Sequence, residues 1–322
     1  LNDASAVSGM LATDDAANPA LRLAAALGAA HSRRAEKVAL ADTGSGIVGF
    51  ADWAEQLIAE STGKQGTGLL PVALEGPGSP GFTDAGDDAT AVAIGPAVSG
   101  AAVAVTGALG AQLLLWEHAT AIVGRLLGIN PFDQPDVEAA KVAARELLDA
   151  GVGGADHPVC TDGAIAVHPG GDWLPDGTAT VAAALRALVD AVAEHGYLAV
   201  QAYLDRLTDA SAAVLRAELA RGTGVQTTFG WGPRFLHSTG QYHKGGHPNG
   251  AFLQLTGAVE RDLAVPGASY TLGGLQLAQA LGDGRVLAGH RRPVLRLHFT
   301  DRAAGLVQLV RAVQELGRGA GP

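Results

Sequence analysis

Lys37-Val38-Ala39-Leu40-Ala41-Asp42 is an almost unbroken aliphatic run, closed on its C-terminal side by Gly44, Gly46 and Gly49. A short apolar run bounded by glycines reads as a buried strand. Residues 50–74 then decide the fold. Phe50, Trp53, Ala54, Leu57 and Ile58 recur at helical spacing as far as residue 62, and Gly68–Leu74 (GLLPVAL) is a second strand. Strand, helix and strand in series imply a parallel sheet covered by helices, because parallel neighbours need a crossover between them.

The pattern extends outward on both sides. Asn18-Pro19 opens a helix through Leu21, Leu23, Ala24 and Leu27. A Gly/Pro/Asp loop at 75–88 leads to the Val/Ala-rich strands Ala89–Gly95 and Ala101–Thr106, then to helices over 110–127 and 135–149. The Gly-rich stretch 151–163 (GVGGADHPVCTDG) reads as a linker. Beyond it the alternation resumes, with strands at Ala164–His168, Tyr197–Leu204, Val225–Phe229, Ala251–Thr256 and Val294–Phe299. Helices fall near 178–194, 209–221, 273–282 and 302–316. The expectation is a three-layer α/β/α domain with a parallel sheet over 1–150, a linker at 151–163, and a second, smaller α/β domain over 164–322.

Composition narrows the function classes. A length of 322 residues fits two domains, and a net charge of −10 argues against a nucleic-acid partner. It leaves an anionic substrate open, since a site needs only local positive groups. The single Cys excludes a disulfide framework and points to the cytoplasm. No apolar run reaches the length of a membrane span, and residues 1–20 lack the basic start and apolar core of a signal peptide. The chain begins at Leu1 rather than Met, which suggests a fragment of a longer protein.

Two polar patterns stand out against the apolar frame. Glu60 falls on the apolar stripe of the 50–62 helix, seven residues after Trp53 and three after Leu57. Partial desolvation and the negative end of its helix would tune such a carboxylate toward general-base work, with Gly63 closing the helix in the left-handed conformation. The bland reading of the same position is a carboxylate in a fraying last turn that bends to water. The second pattern is Gly128-Ile129-Asn130-Pro131-Phe132-Asp133-Gln134-Pro135-Asp136-Val137-Glu138-Ala139-Ala140-Lys141. Pro135 suits a first helical turn, and Asp133 and Asp136 suit the positive end of the helix dipole. Gln134 and Lys141 are seven residues apart, about two turns, which puts them on nearly one face.

Glu60-Ser61-Thr62-Gly63-Lys64 resembles the E-S-N/T-G-K motif of the glucose-6-phosphate isomerases. Trp116-Glu117-His118 and the Asn130–Lys141 run are similar to the two later motifs of that family, in the same order. The wording is most similar to the actinobacterial-type isomerases and the transaldolase/phosphoglucose isomerase fusions. The resemblance implies a second sugar-isomerase domain over 1–150 and the interconversion of glucose 6-phosphate and fructose 6-phosphate through an enediol, without a metal or organic cofactor. It assigns the base to Glu60 and a share of ring opening to Lys141. It puts Gln134, His118 and Lys64 against the substrate, although His118, by its place in a long helix, reads as a satisfied structural histidine. Implied partners are the sugar phosphate, an N-terminal sugar-isomerase domain and a second copy in a homodimer.

The chain departs from the family twice. No Ser/Thr-rich phosphate loop precedes Glu60, and residues 65–117 contain no His for ring opening. The chain alone is therefore expected to be weakly active or inactive.

The densest polar cluster is Phe235–Gly250, which carries Arg234 at its edge, then His237, Ser238, His243, Lys244 and His247. Four readings compete. It is a three-histidine metal site, though without a carboxylate; a Ser238/His nucleophile pair, though without a G-x-S-x-G elbow; an anion-binding loop built on Arg234, Lys244 and glycine N–H groups; or a structural loop. A G-x-G-P-R-F/Y-L-H-S-T-G-Q-x-H-K-G-G segment recurs in the fusion-type isomerases, which leaves His243 or His237 as a candidate ring-opening histidine. Two readings of another class remain. One is a non-catalytic sugar-phosphate-binding or regulatory module on the same fold. The other is a dinucleotide site at Gly44-x-Gly46, which lacks the full fingerprint.

Overall fold

The computed structural model describes residues 1–151 and 157–318. In chain order the first elements are α1 (Asn2–Leu11), α2 (Pro19–Ser32), β1 (Lys37–Asp42), α3 (Phe50–Thr62), β2 (Leu70–Ala73), β3 (Ala89–Ile94), β4 (Val103–Val105), α4 (Leu109–Leu127) and α5 (Glu138–Ala150). After them come β5 (Cys160–Asp162), β6 (Ile165–Gly170), α6 (Val181–Asp190), β7 (Tyr197–Tyr203), α7 (Val214–Thr223), β8 (Thr227–Trp231), α8 (Ser238–Gly245), β9 (Gly250–Gly257), α9 (Leu272–Gly289), β10 (Val294–Phe299) and α10 (Arg302–Arg318). The chain forms two compact units. The first is Leu1–Pro135 with Ser238–His247, and the second is Asp136–His237 with the described residues from Pro248 on.

The first unit is built on a parallel sheet of order β2-β1-β3-β4. Val38, Leu40, Val92 and Ile94 occupy one face by the period of two, and pack with Leu23 and Leu27 of α2, Phe50, Ala54 and Ile58 of α3, and Trp116 and Val123 of α4. Asn18 starts α2 by accepting from the Ala20 N–H at 2.9 Å, while its amide donates to the Leu11 and Thr13 carbonyls and so ties α1 to α2. Gly128, with φ +74°, ends α4.

The second unit has a six-stranded sheet of order β5-β6-β10-β9-β7-β8. Strands β7 to β10 run parallel, and β6 and β5 add an antiparallel edge. One face is aliphatic: Val167, Leu198, Val200, Leu253, Leu255, Leu295, Leu297 and Phe299 pack under α6, α7 and α10. The other face, under α9, carries a polar row across four strands, since His168, Arg296, Gln254 and Gln201 pair in register. All four are buried. Helices thus cover both faces of this sheet, and α5 packs against α9. At that crossing a Cβ on Gly282 would stand 2.7 Å from the Ala144 backbone nitrogen, so only glycine admits the approach.

Several boundaries differ from the sequence reading. Helix α5 starts at Glu138, three residues after Pro135, and Ala140, Ala144 and Leu147 bury its inner face in the second unit. That unit is the larger of the two rather than the smaller, because α5 and six strands belong to it. Residues 152–156 of the expected linker lie outside the described residues, and Cys160–Asp162 from its far end pair with β6. The stretch read as a loop at 235–250 contains helix α8, which belongs to the first unit. Among the described residues no helix is long and apolar enough to cross a membrane.

Candidate functional site

The first unit gathers the residues around Glu60. Helix α3 brings Glu60 to its last turn, half-buried, where Gln56 Nε2 reaches the Glu60 carboxylate only at a long 3.4 Å. The chain then reverses tightly. Thr62 Oγ1 donates to the Ile58 carbonyl at 2.7 Å and accepts from the Leu69 N–H at 3.0 Å, which locks the helix end to the start of β2. Lys64 and Thr67 pair through their backbones, with Gln65 and Gly66 both at positive φ. Paired positive φ values define a type I′ turn, and glycine at the second position relieves its strain.

Gly63 does not take the left-handed cap that its sequence suggests; its φ is −78°. Its reason is proximity: a Cβ there would lie 2.3 Å from Tyr242 Cα. Helix α8 lies against this turn, with Gln241 Nε2 donating to the Gly63 carbonyl at 2.8 Å and the Gly66 N–H donating to the Gly245 carbonyl at 2.8 Å. The Glu60 motif and the 238–245 segment thus meet in one unit although Gly63 and Gln241 stand 178 residues apart in sequence.

Lys64 is an internal strut rather than a ligand-facing cation. Its ammonium is buried and donates to the Asn130 carbonyl at 2.9 Å, to the Asp133 carbonyl, and to Asp133 Oδ1 at 3.0 Å. Three acceptors use all three donors. They hold the Asn130–Asp133 turn, in which Asn130 Oδ1 also accepts from the Phe132 N–H at 3.1 Å. Gln134 comes next, exposed and ahead of α5, so it does not share a helix face with Lys141. Lys141 lies on α5 in the second unit, 3.6 Å from Glu138 Oε2, and Arg145 bonds the same carboxylate at 2.7 Å.

The remaining predicted residues divide between the units. His118 is half-buried on α4. Its neighbour Trp116 is fully buried, with its ring 6.2 Å from that of Phe50. His243 and Lys244 are buried on α8 in the first unit, and Lys244 Nζ reaches back to the Gly240 carbonyl at 3.4 Å. His247, also in the first unit, bonds Glu36 Oε2 through Nδ1 at 2.8 Å. Arg234 and the exposed His237 belong to the second unit.

The Gly44-x-Gly46 turn is already filled. Asp42 Oδ1 accepts from the Gly44 and Ser45 N–H groups, both at 2.8 Å. The Ser45 backbone bond holds the Asp42 carboxyl below the usual carboxylate range; burial opposes it, and the Gly44 bond adds to the lowering. A carboxylate seated on the N–H groups that a phosphate would need repels a dinucleotide. Sequence reasoning missed the part played by Gly63, Gln241 and Tyr242. It also missed the polar face of the second sheet, whose signal was the alternation Gln201/Tyr203, Gln254/Thr256 and Arg296/His298 inside the strands it placed there.

The architecture defines a mixed α/β protein whose first sheet is wholly parallel. Solved structures to which the chain is similar include the following two. One is a hypothetical protein from Thermus thermophilus, at 11% identity and a TM-score of 0.38, over 97% of this chain and 87% of that one. The other is a glucose-6-phosphate isomerase from Chlamydia trachomatis, at 12% identity and a TM-score of 0.36, over 94% of this chain and 68% of that one. No family model and no curated protein matches the sequence.

Proposed function

We propose that the first unit carries the proton-transfer part of a sugar-phosphate isomerase that interconverts glucose 6-phosphate and fructose 6-phosphate. The reading is carried by one observation: the turn after Glu60 and the helix bearing His243 are joined by the Gln241–Gly63 bond of 2.8 Å. Two segments singled out separately in the sequence become neighbours, one with a carboxylate and one with an imidazole.

The chemistry needs those two groups. Moving a hydrogen between C2 and C1 takes a base that removes a proton and returns it through an enediol, and Glu60 serves there. Its half-buried carboxylate, which Gln56 reaches only at 3.4 Å, is available for transfer. His243 is assigned ring opening, and Gln134 hydrogen bonds to the substrate. Lys64 acts through the turn it holds, as a positioning residue. The phosphate is to be gripped by an N-terminal sugar-isomerase domain acting with this chain.

A coupled assay of glucose 6-phosphate formation, run on the chain with and without such a domain, tests the proposal. Glu60→Gln should lower turnover by about 10²- to 10⁴-fold, the range for loss of a general base. Unchanged turnover in that variant would sink the assignment. The second reading, a non-catalytic sugar-phosphate-binding module, draws on the full engagement of the Lys64 ammonium, which takes one cation away from substrate. It would be favoured by sugar-phosphate binding that Glu60→Gln leaves intact in a chain showing no turnover in either arm.

A further inference from the structure

The second unit contains a cavity of about 290 Å³ that the isomerase reading does not use. It lies at the C-terminal ends of the parallel strands β7, β9 and β10, the edge at which open α/β sheets bind ligands. Tyr203, Thr256 and His298 line it from the sheet, and Asp262, Thr271 and Gln276 line it from the opposite wall.

The chemistry of this lining is specific. Tyr203 is buried, and among the described residues its hydroxyl has no hydrogen-bond partner. Burial, together with the charge of Asp283, pushes that phenol well above its ordinary value, so it stays protonated and able to donate. Thr256 Oγ1 accepts from Arg296 Nη1 at 3.3 Å and lies within hydrogen-bond reach of His298 Nδ1, at 3.0 Å. Asp262 is fixed as an acceptor by the Leu263 and Gly273 N–H groups, both at 2.8 Å. Its carboxyl is held below the usual range first by the Thr271 hydroxyl and then by Gly273. Among the described residues no lysine or arginine lines the cavity. A ligand oxygen would supply the hydrogen bond that this buried hydroxyl lacks.

We propose that this cavity binds a small neutral polyhydroxylated molecule of monosaccharide size. Hydroxyl, imidazole and carboxylate groups suit the hydroxyls of a sugar or polyol, and a lining without lysine or arginine disfavours a phosphorylated one. A volume near 290 Å³ lies at the small end of ligand sites.

The test is calorimetric titration of the full chain with D-glucose, D-fructose and sorbitol, beside glucose 6-phosphate. At least one neutral compound should bind, and Tyr203→Phe should weaken it about two- to tenfold, the worth of one hydrogen bond. Gln276→Trp, which fills the cavity from α9, should abolish binding. Glu60→Gln should leave it unchanged, so failure here is separable from failure of the isomerase proposal. Melting curves check that both cavity variants fold; Tyr203→Phe removes an unsatisfied group and should be at least as stable as the parent. No neutral ligand bound, binding indifferent to both cavity variants, or glucose 6-phosphate preferred at this site would each overturn the proposal.

Discussion

Gly63 and Tyr242 approach so closely that a single methyl group at position 63 would stand 2.3 Å from Tyr242 Cα and 2.6 Å from Tyr242 Cβ. Real Cβ atoms do not make such contacts with backbone, so one partner must move. The helix end is the less movable one, since Thr62 bonds both Ile58 and Leu69. Gly63→Ala should therefore displace α8, break the Gln241 bond to the Gly63 carbonyl and cost about 1–3 kcal/mol, as overpacking does. Hydrogen exchange would show lost protection in Ser238–Gly245 with α2 and α4 unchanged. Full protection of that helix in the variant would refute the account.

Lys64 makes the second prediction. Lys64→Met keeps most of the side-chain volume but removes three charged donors from the Asn130 and Asp133 oxygens. Breaking a buried ion pair costs about 3–5 kcal/mol in full, yet Asp133 is 52% exposed and can turn to water, so a loss of about 1–3 kcal/mol is expected. Asp133→Asn should be milder, because both carbonyl acceptors remain. Denaturant unfolding of the two variants against the parent orders them. An Asp133→Asn loss equal to that of Lys64→Met would mean that the carboxylate, rather than the turn, is what Lys64 holds.

These contacts mark where sequence stops being informative. Lys37–Asp42 and Phe50–Thr62 were legible to the residue, because each buries one continuous or periodic apolar set and ends at glycines. Ser238–Gly245 was not, because it has two glycines and no apolar period; it becomes helical by lying on the turn after α3. Pro135 suits a helix start, but the turn held by Lys64 precedes it and α5 begins only at Glu138. The partners of Lys64 lie 66 and 69 residues away, a distance at which no local pattern speaks. The candidate base was visible in Glu60; the strut and the tight approach that surround it were not.

The last prediction concerns pH. His31 Nε2 lies 3.1 Å from Thr67 Oγ1, beside the turn that α8 contacts. Burial lowers the His31 pKa, the charge of Glu36 opposes this, and His247 adds to the lowering. A histidine depressed in the fold resists a proton that the unfolded chain accepts. Its contribution to stability is therefore complete above the ordinary histidine value of about 6.5 and is lost as the pH falls through and below it. Denaturation midpoints of the chain should drop across that window. His31→Gln, which keeps a hydrogen-bonding group toward Thr67 but cannot titrate there, should show a shallower drop. Parallel pH profiles for the two proteins would mean that His31 does not carry the dependence.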